Sequence, residues 1–487
     1  MKILHTFVAL GILLLLGGVL YYLDKNPPEN ASEAIPKEKL FSFQADQVEE
    51  FSIEMPNEPT LTSRRLPDGE ASATEAEVEE GPATADRPQW EFLSPEGVAA
   101  DSMLIQYFVE SLPGIEYTPV TEEAPASLAD YGLDEPQKIF SIKLKQGETV
   151  TLSIGGENPS GYAKYGMLSA SPGVFLLDSL GSPALEKTLF DLRDKRALPI
   201  DMDRAQRLEL DNKAGKIVMT KLPNNNWELT RPAVRTDYAG TNYFVIRLIG
   251  ALMKTVEEEV AGSLARYGLN RPQASLQVTL PDGSHTLLVG GDNKDGEGYY
   301  AKNSAWPHVF TINQDFYDQL TGSVDSYRNR YLFDFQTTNV RRVELQTAEA
   351  DFRFDKLEER WVQAAEEDEE EAEAEEESAD AVPAEVGEVD VLLNNIHAMR
   401  IQQYTTDRPG RLAQYGLDKP WLKVKITFGE DNREETVLLA LQDGKLYAAR
   451  QGEPSVYELR ADEKERIEES LGKFPSAETE IQETPVG

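Results

Sequence analysis

The chain contains no cysteine. This absence excludes disulfides, thiolate metal sites, a cysteine nucleophile and a lipid-modified cysteine. Histidine is also scarce, since there are four in 487 residues and no two have the i, i+4 spacing that places both imidazoles on one helix face. Nucleotide-binding, zinc-protease and Ser-His-Asp signatures are missing as well. The sequence therefore favours a protein without catalysis, and we predict neither a cofactor nor a metal.

Positive charge is in short supply. The chain has 48 basic and 86 acidic residues, which gives a formal net charge of -38. Such a polyanion is repelled by nucleic-acid phosphates, so nucleic acid is not a predicted ligand. Pairs of catalytic carboxylates cannot be recognised by spacing among so many acidic residues, and a carboxylate-dependent hydrolase stays open as a third hypothesis.

An uncharged run of 17 residues, Phe7–Leu23, stands at the N-terminus. Counted from Ile3 the run is 21 residues long, enough to cross a hydrocarbon layer of roughly 30 Å. Bulky Tyr21 and Tyr22 stand where a cleaved signal peptide needs small residues. We therefore predict an uncleaved anchor rather than a signal peptide. The predicted location is the inner (cytoplasmic) membrane, crossed once, with the bulk of the chain outside the cytoplasm.

One short string recurs three times, at intervals of 136 and 148 residues, and a tryptophan precedes each copy. The intervals are domain-sized, so each copy marks one unit. The anchoring residues are Trp90, Tyr131, Gly132 and Pro136; Trp227, Tyr267, Gly268 and Pro272; and Trp361, Tyr415, Gly416 and Pro420.

Each unit has the same predicted elements. A helix-period run follows each tryptophan, and alternating strands follow each Tyr-Gly-Leu. The predicted helices are Asp101–Leu112, Tyr243–Met253 and Val389–Met399. This pattern predicts an α+β fold in which an N-terminal transmembrane helix precedes three antiparallel sheets, each covered by a helix. The predicted segments are an anchor at 1–25, a linker at 26–39, units at 40–198, 199–336 and 337–475 with disordered acidic insertions at about 67–88 and 364–387, and a disordered tail at 476–487.

Three local motifs permit both a structural and a functional interpretation. The Tyr-Gly-Leu string is predicted to be structural, with its glycine in the left-handed conformation at a helix end. The glycine pairs 155–156 and 290–291 are predicted to be strand-end turns, with an anion-binding nest as the alternative. Basic residues close the first two units, and they either bind an anionic partner or pair within the chain. These candidate partner-binding residues are Arg193, Lys195, Arg196, Arg328 and Arg330.

The anchor, the repeated Tyr-Gly-Leu-x-x-Pro, the glycine pairs and the closing run Leu192–Arg196 together resemble a bacterial membrane-anchored family, domain of unknown function 4340. The resemblance covers nearly all of the chain after the anchor. The third unit departs from it, because it lacks both the glycine pair and the basic close. The resemblance implies an association with gliding-motility-type ABC transporters.

The leading hypothesis is a binding or scaffold protein of the bacterial envelope, an accessory of a transporter-like complex. The alternative is a protein that recognises an envelope glycan through exposed aromatic side chains. The candidate tyrosines are Tyr162, Tyr299 and Tyr300.

Overall fold

The computed structural model describes residues 37–67, 89–119, 125, 127–171, 173–178, 182–294, 296, 298–358, 360–363, 382–383 and 387–474. The predicted anchor, most of the linker, nearly all of both acidic insertions and the predicted tail lie outside the described residues. Within the described part of the chain, no helix is long and apolar enough to cross a bilayer.

The first sheet has nine strands in the order β1-β5-β9-β8-β7-β6-β2-β3-β4, each antiparallel to its neighbours. Its core strand β6 alternates strictly between buried and half-buried residues, which is the period of a sheet with one face packed on a core. The strands are β1 (Glu38–Lys39), β2 (Val48–Glu54), β3 (Leu61–Arg65), β4 (Trp90–Ser94), β5 (Glu116–Pro119), β6 (Lys138–Leu144), β7 (Thr149–Glu157), β8 (Ala163–Leu168) and β9 (Val174–Asp178).

The second sheet has eight strands in the order β12-β11-β10-β14-β15-β16-β17-β13. They are β10 (Arg207–Asn212), β11 (Gly215–Lys221), β12 (Trp227–Arg231), β13 (Val256–Glu258), β14 (Ala274–Leu280), β15 (Gly283–Asp292), β16 (Tyr299–Asn303) and β17 (Val309–Ile312).

The third sheet has nine strands in the order β21-β20-β19-β18-β23-β24-β25-β26-β22, again antiparallel. They are β18 (Val340–Thr347), β19 (Asp351–Leu357), β20 (Arg360–Gln363), β21 (Val382–Pro383), β22 (Gln403–Thr406), β23 (Leu422–Phe428), β24 (Arg433–Gln442), β25 (Lys445–Arg450) and β26 (Val456–Leu459).

The three sheets share one strand order. If the short strands β1 and β21 are set aside, each sheet runs from its tryptophan strand through the same eight positions. The repeated antiparallel sheets of the predicted fold class are therefore confirmed, and we call them the first, second and third repeats. Sequence reasoning missed the strands β5, β13 and β22, which follow the helix in each repeat.

Six α-helices belong to the described residues. They are α1 (Ser102–Ser111), α2 (Leu189–Leu192), α3 (Tyr238–Ile249), α4 (Gln314–Thr321), α5 (Glu388–Ala398) and α6 (Asp462–Leu471). The start predicted for α3, at Tyr243, was wrong by five residues. Asp237 accepts hydrogen bonds from the backbone N–H groups of Ala239 and Gly240, and this cap starts the helix in a polar turn that hydrophobic periodicity does not mark.

Each tryptophan ties its strand to the helix that covers the sheet. In the first repeat the fully buried Trp90 donates from Nε1 to Gln106 Oε1 at 3.1 Å. In the third, Trp361 donates to Asp390 Oδ1 at 2.9 Å. In the second, Thr241 donates to the backbone oxygen of Trp227 at 2.7 Å. A buried indole N–H needs an acceptor, so the tryptophan fixes where the helix begins to cross the sheet.

The described residues divide into two compact units. The first comprises those of Met1–Ala205, Leu248–Ser275 and Pro281–Tyr317, and the second those of Gln206–Arg247, Leu276–Leu280 and Asp318–Gly487. The predicted unit boundaries at 198/199 and 336/337 stay predictions.

Candidate functional site

Arg193 lies just after α2 and its side chain is 1% exposed. Its guanidinium donates from Nη1 to Glu259 Oε1 at 2.8 Å and from Nη2 to Glu259 Oε2 at 3.2 Å, while Nη2 also lies 3.1 Å from His308 Nδ1. This two-point geometry matches the fork of a guanidinium to the two oxygens of a carboxylate. Arg193 is therefore held inside the fold and not on a surface that a partner reaches.

His308 is buried beside this guanidinium and stacks on Trp306, with ring centroids 5.2 Å apart. Burial, and then the charges of Arg193 and Lys302, lower the pKa of His308 to about 3. The imidazole is therefore neutral at pH 7, and its Nδ1 accepts from Arg193. A positively charged ring in this place would face the guanidinium with no carboxylate of its own.

Arg328 repeats the arrangement in the second compact unit. It donates to Asp407 Oδ2 at 3.1 Å and to Asp407 Oδ1 at 2.7 Å. Ser455 Oγ donates to the same carboxylate at 2.8 Å. The guanidinium also lies 3.8 Å above the ring of Tyr404, a cation–π contact. Like Arg193, Arg328 is buried and paired within the chain.

The two arrangements are copies of one device, which we call the arginine socket. The carboxylates Glu259 and Asp407 each stand eight residues before the tyrosine of a Tyr-Gly-Leu string. His308 directly precedes β17, and Ser455 directly precedes β26. Each arginine follows the last helices of one repeat and pairs with a carboxylate of the next. Sequence reasoning found the arginines but missed the carboxylates, although the fixed offset from the tyrosine marks them once the repeats are aligned.

The other basic candidates lie nearer the surface. Lys195 is half-buried, with its ammonium 5.0 Å from the ring centre of Phe190. Arg196 donates from Nε to both carboxylate oxygens of Asp194, at 3.0 and 3.1 Å. Arg330 is exposed. Of the five predicted partner-binding residues, two are buried, two are half-buried with partners within the chain, and Arg330 is exposed.

The Tyr-Gly-Leu strings form a short 3-10 helix in each repeat. As predicted, each helix ends at a glycine in the left-handed region, with φ of 64°, 72° and 73° at Gly132, Gly268 and Gly416. The following leucines are buried, and each proline lies two residues before a core strand. The leucines are Leu133, Leu269 and Leu417, and the prolines are Pro136, Pro272 and Pro420.

The glycine pairs lie inside strands, which corrects their interpretation as strand-end turns. Gly155 belongs to β7 and Gly290 to β15, and the pairing register shifts beside each of them. A Cβ on Gly155 would stand 2.2 Å from the backbone oxygen of Tyr131, and one on Gly290 would stand 2.1 Å from that of Tyr267. The glycines are required because the Tyr-Gly-Leu backbone lies directly on the bulged strand.

The tyrosines of the strings pack edge-on against a second tyrosine, with centroids 4.9 to 5.2 Å apart. The pairs are Tyr131 with Tyr165, Tyr267 with Tyr300, and Tyr415 with Tyr447. Tyr165, and not Tyr162, is therefore the counterpart of Tyr300 in the first repeat. Tyr299 stacks on Tyr317 at 3.5 Å, whereas Tyr162 is 73% exposed.

One group of carboxylates in the second unit bears on the hydrolase hypothesis. Asp334, Glu435 and Glu453 surround Arg450, at 3.3, 3.7 and 2.9 Å, and Asp334 also pairs with Arg235. Burial raises the pKa of Glu435, while the backbone N–H of Asp334 and the charge of Arg450 act to lower it. Two guanidiniums thus pair with three carboxylates, which makes the group an ion-pair network. No set of three potential metal ligands occurs among the described residues.

The first repeat carries an apolar groove of about 390 Å³ between α1 and the segment 182–192. Its wall on α1 exposes Leu104 and Tyr107, and Met103 is exposed beside them. Lys187 and Asp191 are the charged residues on the opposite wall. The carboxylate of Asp191 accepts from the backbone N–H and the hydroxyl of Thr188, so it serves as a helix cap.

Comparison with known proteins supports the repeats found in the fold. The searches of curated proteins and of solved structures gave no match. One family model matches three times, at residues 90–243, 238–382 and 377–474, and so covers most of the chain. The chain therefore belongs to the family described as domain of unknown function (DUF4340), present here in three copies.

Proposed function

We propose that this protein is a membrane-anchored scaffold outside the cytoplasm, an accessory subunit of an ABC-transporter-like or other envelope complex, and that it performs no catalysis. The proposal rests on the structural roles of the polar residues and glycines that the repeats share. The buried arginines, their carboxylates and the glycine pairs all hold one repeat together or join it to the next. Such an array is suited to presenting surface rather than to converting a substrate.

The N-terminal apolar run supports the membrane part of the proposal. Insertion of Phe7–Leu23 would tether the body to the bilayer through the 13 residues 24–36, which span at most about 45 Å. The first strand of the first repeat, β1, begins at Glu38. A partner within the same membrane is therefore within reach of the first repeat.

The test is purification from native membranes in mild detergent, with full-length protein compared against residues 26–487. We expect membrane-complex subunits to be recovered in fixed stoichiometry with the anchored form, as measured by mass spectrometry and native mass determination. A full-length protein that is monomeric in native membranes would overturn the proposal.

Glycan recognition is the second candidate, and the exposed ring of Tyr162 favours it. A flat exposed aromatic side chain is the usual platform for a sugar face. Residues 26–487 would be screened against cell-wall and capsule polymers, with Tyr162→Ala as the control variant. The scaffold proposal predicts no affinity in this screen, and binding that is lost in Tyr162→Ala would favour the glycan function instead.

A further inference from the structure

The groove of the first repeat has a counterpart in the third repeat, where the chain itself fills it. There α6 packs on α5, and Asn395 Nδ2 of α5 donates to Ser470 Oγ of α6 at 2.9 Å. Ile467 and Leu471 of α6 join the same buried cluster as Ile396 of α5. An amphipathic helix thus covers the outer side of α5.

The two helices α1 and α5 correspond residue by residue. Their buried positions have the same spacing, Ile105, Phe108, Val109 and Leu112 in α1 and Val389, Leu392, Leu393 and Ile396 in α5. In this alignment Ser111, which lines the groove, corresponds to Asn395, which holds α6. The groove wall is therefore the face of the helix that α6 covers in the third repeat.

The closing segments of the two repeats explain why the groove is open. In the third repeat the ten-residue α6 begins three residues after β26. In the first repeat the corresponding described segment is a four-residue 3-10 helix, Pro183–Glu186, followed by the four-residue α2, and the two bury Leu185, Leu189 and Leu192 in the core. Two separate single turns cannot present the continuous two-turn apolar face that α6 supplies. Among the described residues, the first repeat thus leaves Leu104 and Tyr107 exposed beside the groove.

The rim of the groove sets the charge of the occupant. Glu110 and Glu116 are exposed and directly flank the lining residues Ser111 and Ile115. Lys187 is the cation of the lining, and the chain as a whole carries a net charge of -38. A partner approaching this rim is favoured when it is basic.

We propose that the groove receives an amphipathic helix of a partner protein, with an apolar face of about two turns and Lys or Arg residues beside it. This inference rests on the proposed scaffold function and names the chemistry of its partner. The partner helix takes the place that α6 has in the third repeat, and Leu104 and Tyr107 become buried beneath it.

The first test is photo-crosslinking in native membranes with benzoylphenylalanine at position 107. The control carries the same probe at position 162, an exposed tyrosine of the same repeat outside the groove. We expect the 107 probe to crosslink at least ten-fold more, to a peptide with apolar residues at i, i+3 or i+4 and adjacent Lys or Arg. Crosslinks to residues 1–36, to a second copy of this chain or to lipid, or equal yields at both positions, would overturn the inference.

A double variant, Leu104→Glu with Tyr107→Glu, separates this inference from the proposed function. We expect partner recovery to fall at least ten-fold, while Tyr162→Glu retains it. Both positions are already partly exposed, so unchanged thermal melting would show that the fold is intact. If the double variant keeps its partner, the groove is not the docking site and the scaffold proposal stands. If the unmodified protein recovers no partner, both proposals fall.

Discussion

At the scale of single residues, two adjacent glycines of β15 differ in whether they can be replaced by alanine. A methyl group on Gly290 would meet the backbone oxygen of Tyr267 at 2.1 Å, whereas one on Gly291 would meet no atom within 4 Å. We expect Gly290→Ala to lower the free energy of unfolding by about 3 kcal/mol, because backbone must move. Gly291→Ala, the matched control, should change it by less than about 0.5 kcal/mol. Urea unfolding followed by tryptophan fluorescence measures both, and equal midpoints would contradict the close approach.

His308 gives the fold a defined response to acid. Its folded pKa is about 3 against an unfolded value of 6.5. Between these values the unfolded chain binds a proton that the folded chain does not, so stability falls as pH is lowered from about 6.5 towards 3. The slope from this group approaches ~1.4 kcal/mol per pH unit.

The variant His308→Gln should remove this contribution, because glutamine can still accept from Arg193 and does not titrate. Urea unfolding at pH 7, 6, 5 and 4.5 would show a smaller loss of stability in the variant than in the parent protein. Parallel curves for the variant and the parent protein would refute the prediction.

At the scale of elements, the arginine sockets bind the end of one repeat to the edge strand region of the next. Arg328→Ala leaves Asp407 without its guanidinium, and that carboxylate is about one-third exposed. Water can partly replace the lost bonds, so we expect a loss of about 2 kcal/mol in the free energy of unfolding. Arg328→Lys should recover only part of it, since an ammonium cannot contact both oxygens in the same way.

Arg330→Ala is the control for the socket, because this residue stands two positions away and is exposed. It should change stability by less than about 0.5 kcal/mol. Denaturant unfolding of the full-length protein in detergent measures all three variants. A loss in Arg330→Ala as large as that in Arg328→Ala would mean that general charge, and not the socket, stabilises the fold.

The elements that the sequence predicted well are those with local causes. Alternation marks β6 and β23, and the left-handed glycine marks each Tyr-Gly-Leu turn. The edge strand β13 has three residues and takes its conformation from pairing with β17, which no local pattern records. Glu259 is one acidic residue among 86, and its role depends on a partner 66 residues away. The parts of the fold and of the site that could not be predicted from the sequence are thus those that depend on pairing between distant residues.

At the scale of the whole molecule, the net charge of -38 should govern association. If a basic helix docks on the first repeat, salt screens the attraction over a Debye length of about 10 Å at 0.1 M and about 3 Å at 1 M. We expect recovery of the partner to fall steadily as NaCl is raised from 0.05 to 0.5 M. Sucrose at equal osmolality is the control. If recovery of the partner does not change with the NaCl concentration, the contact is dominated by burial of apolar surface.

The arginine sockets also require the repeats to follow one another in a fixed order along the chain. Each arginine is supplied by the repeat that comes earlier in the chain, and each carboxylate by the one that comes later. At the start, Gly173 precedes β9 where His308 and Ser455 precede β17 and β26. At the end, no arginine follows α6 among the described residues of the third repeat. The repeats are therefore not interchangeable modules, and a gene with its copies shuffled would encode a junction whose carboxylate has no counter-ion.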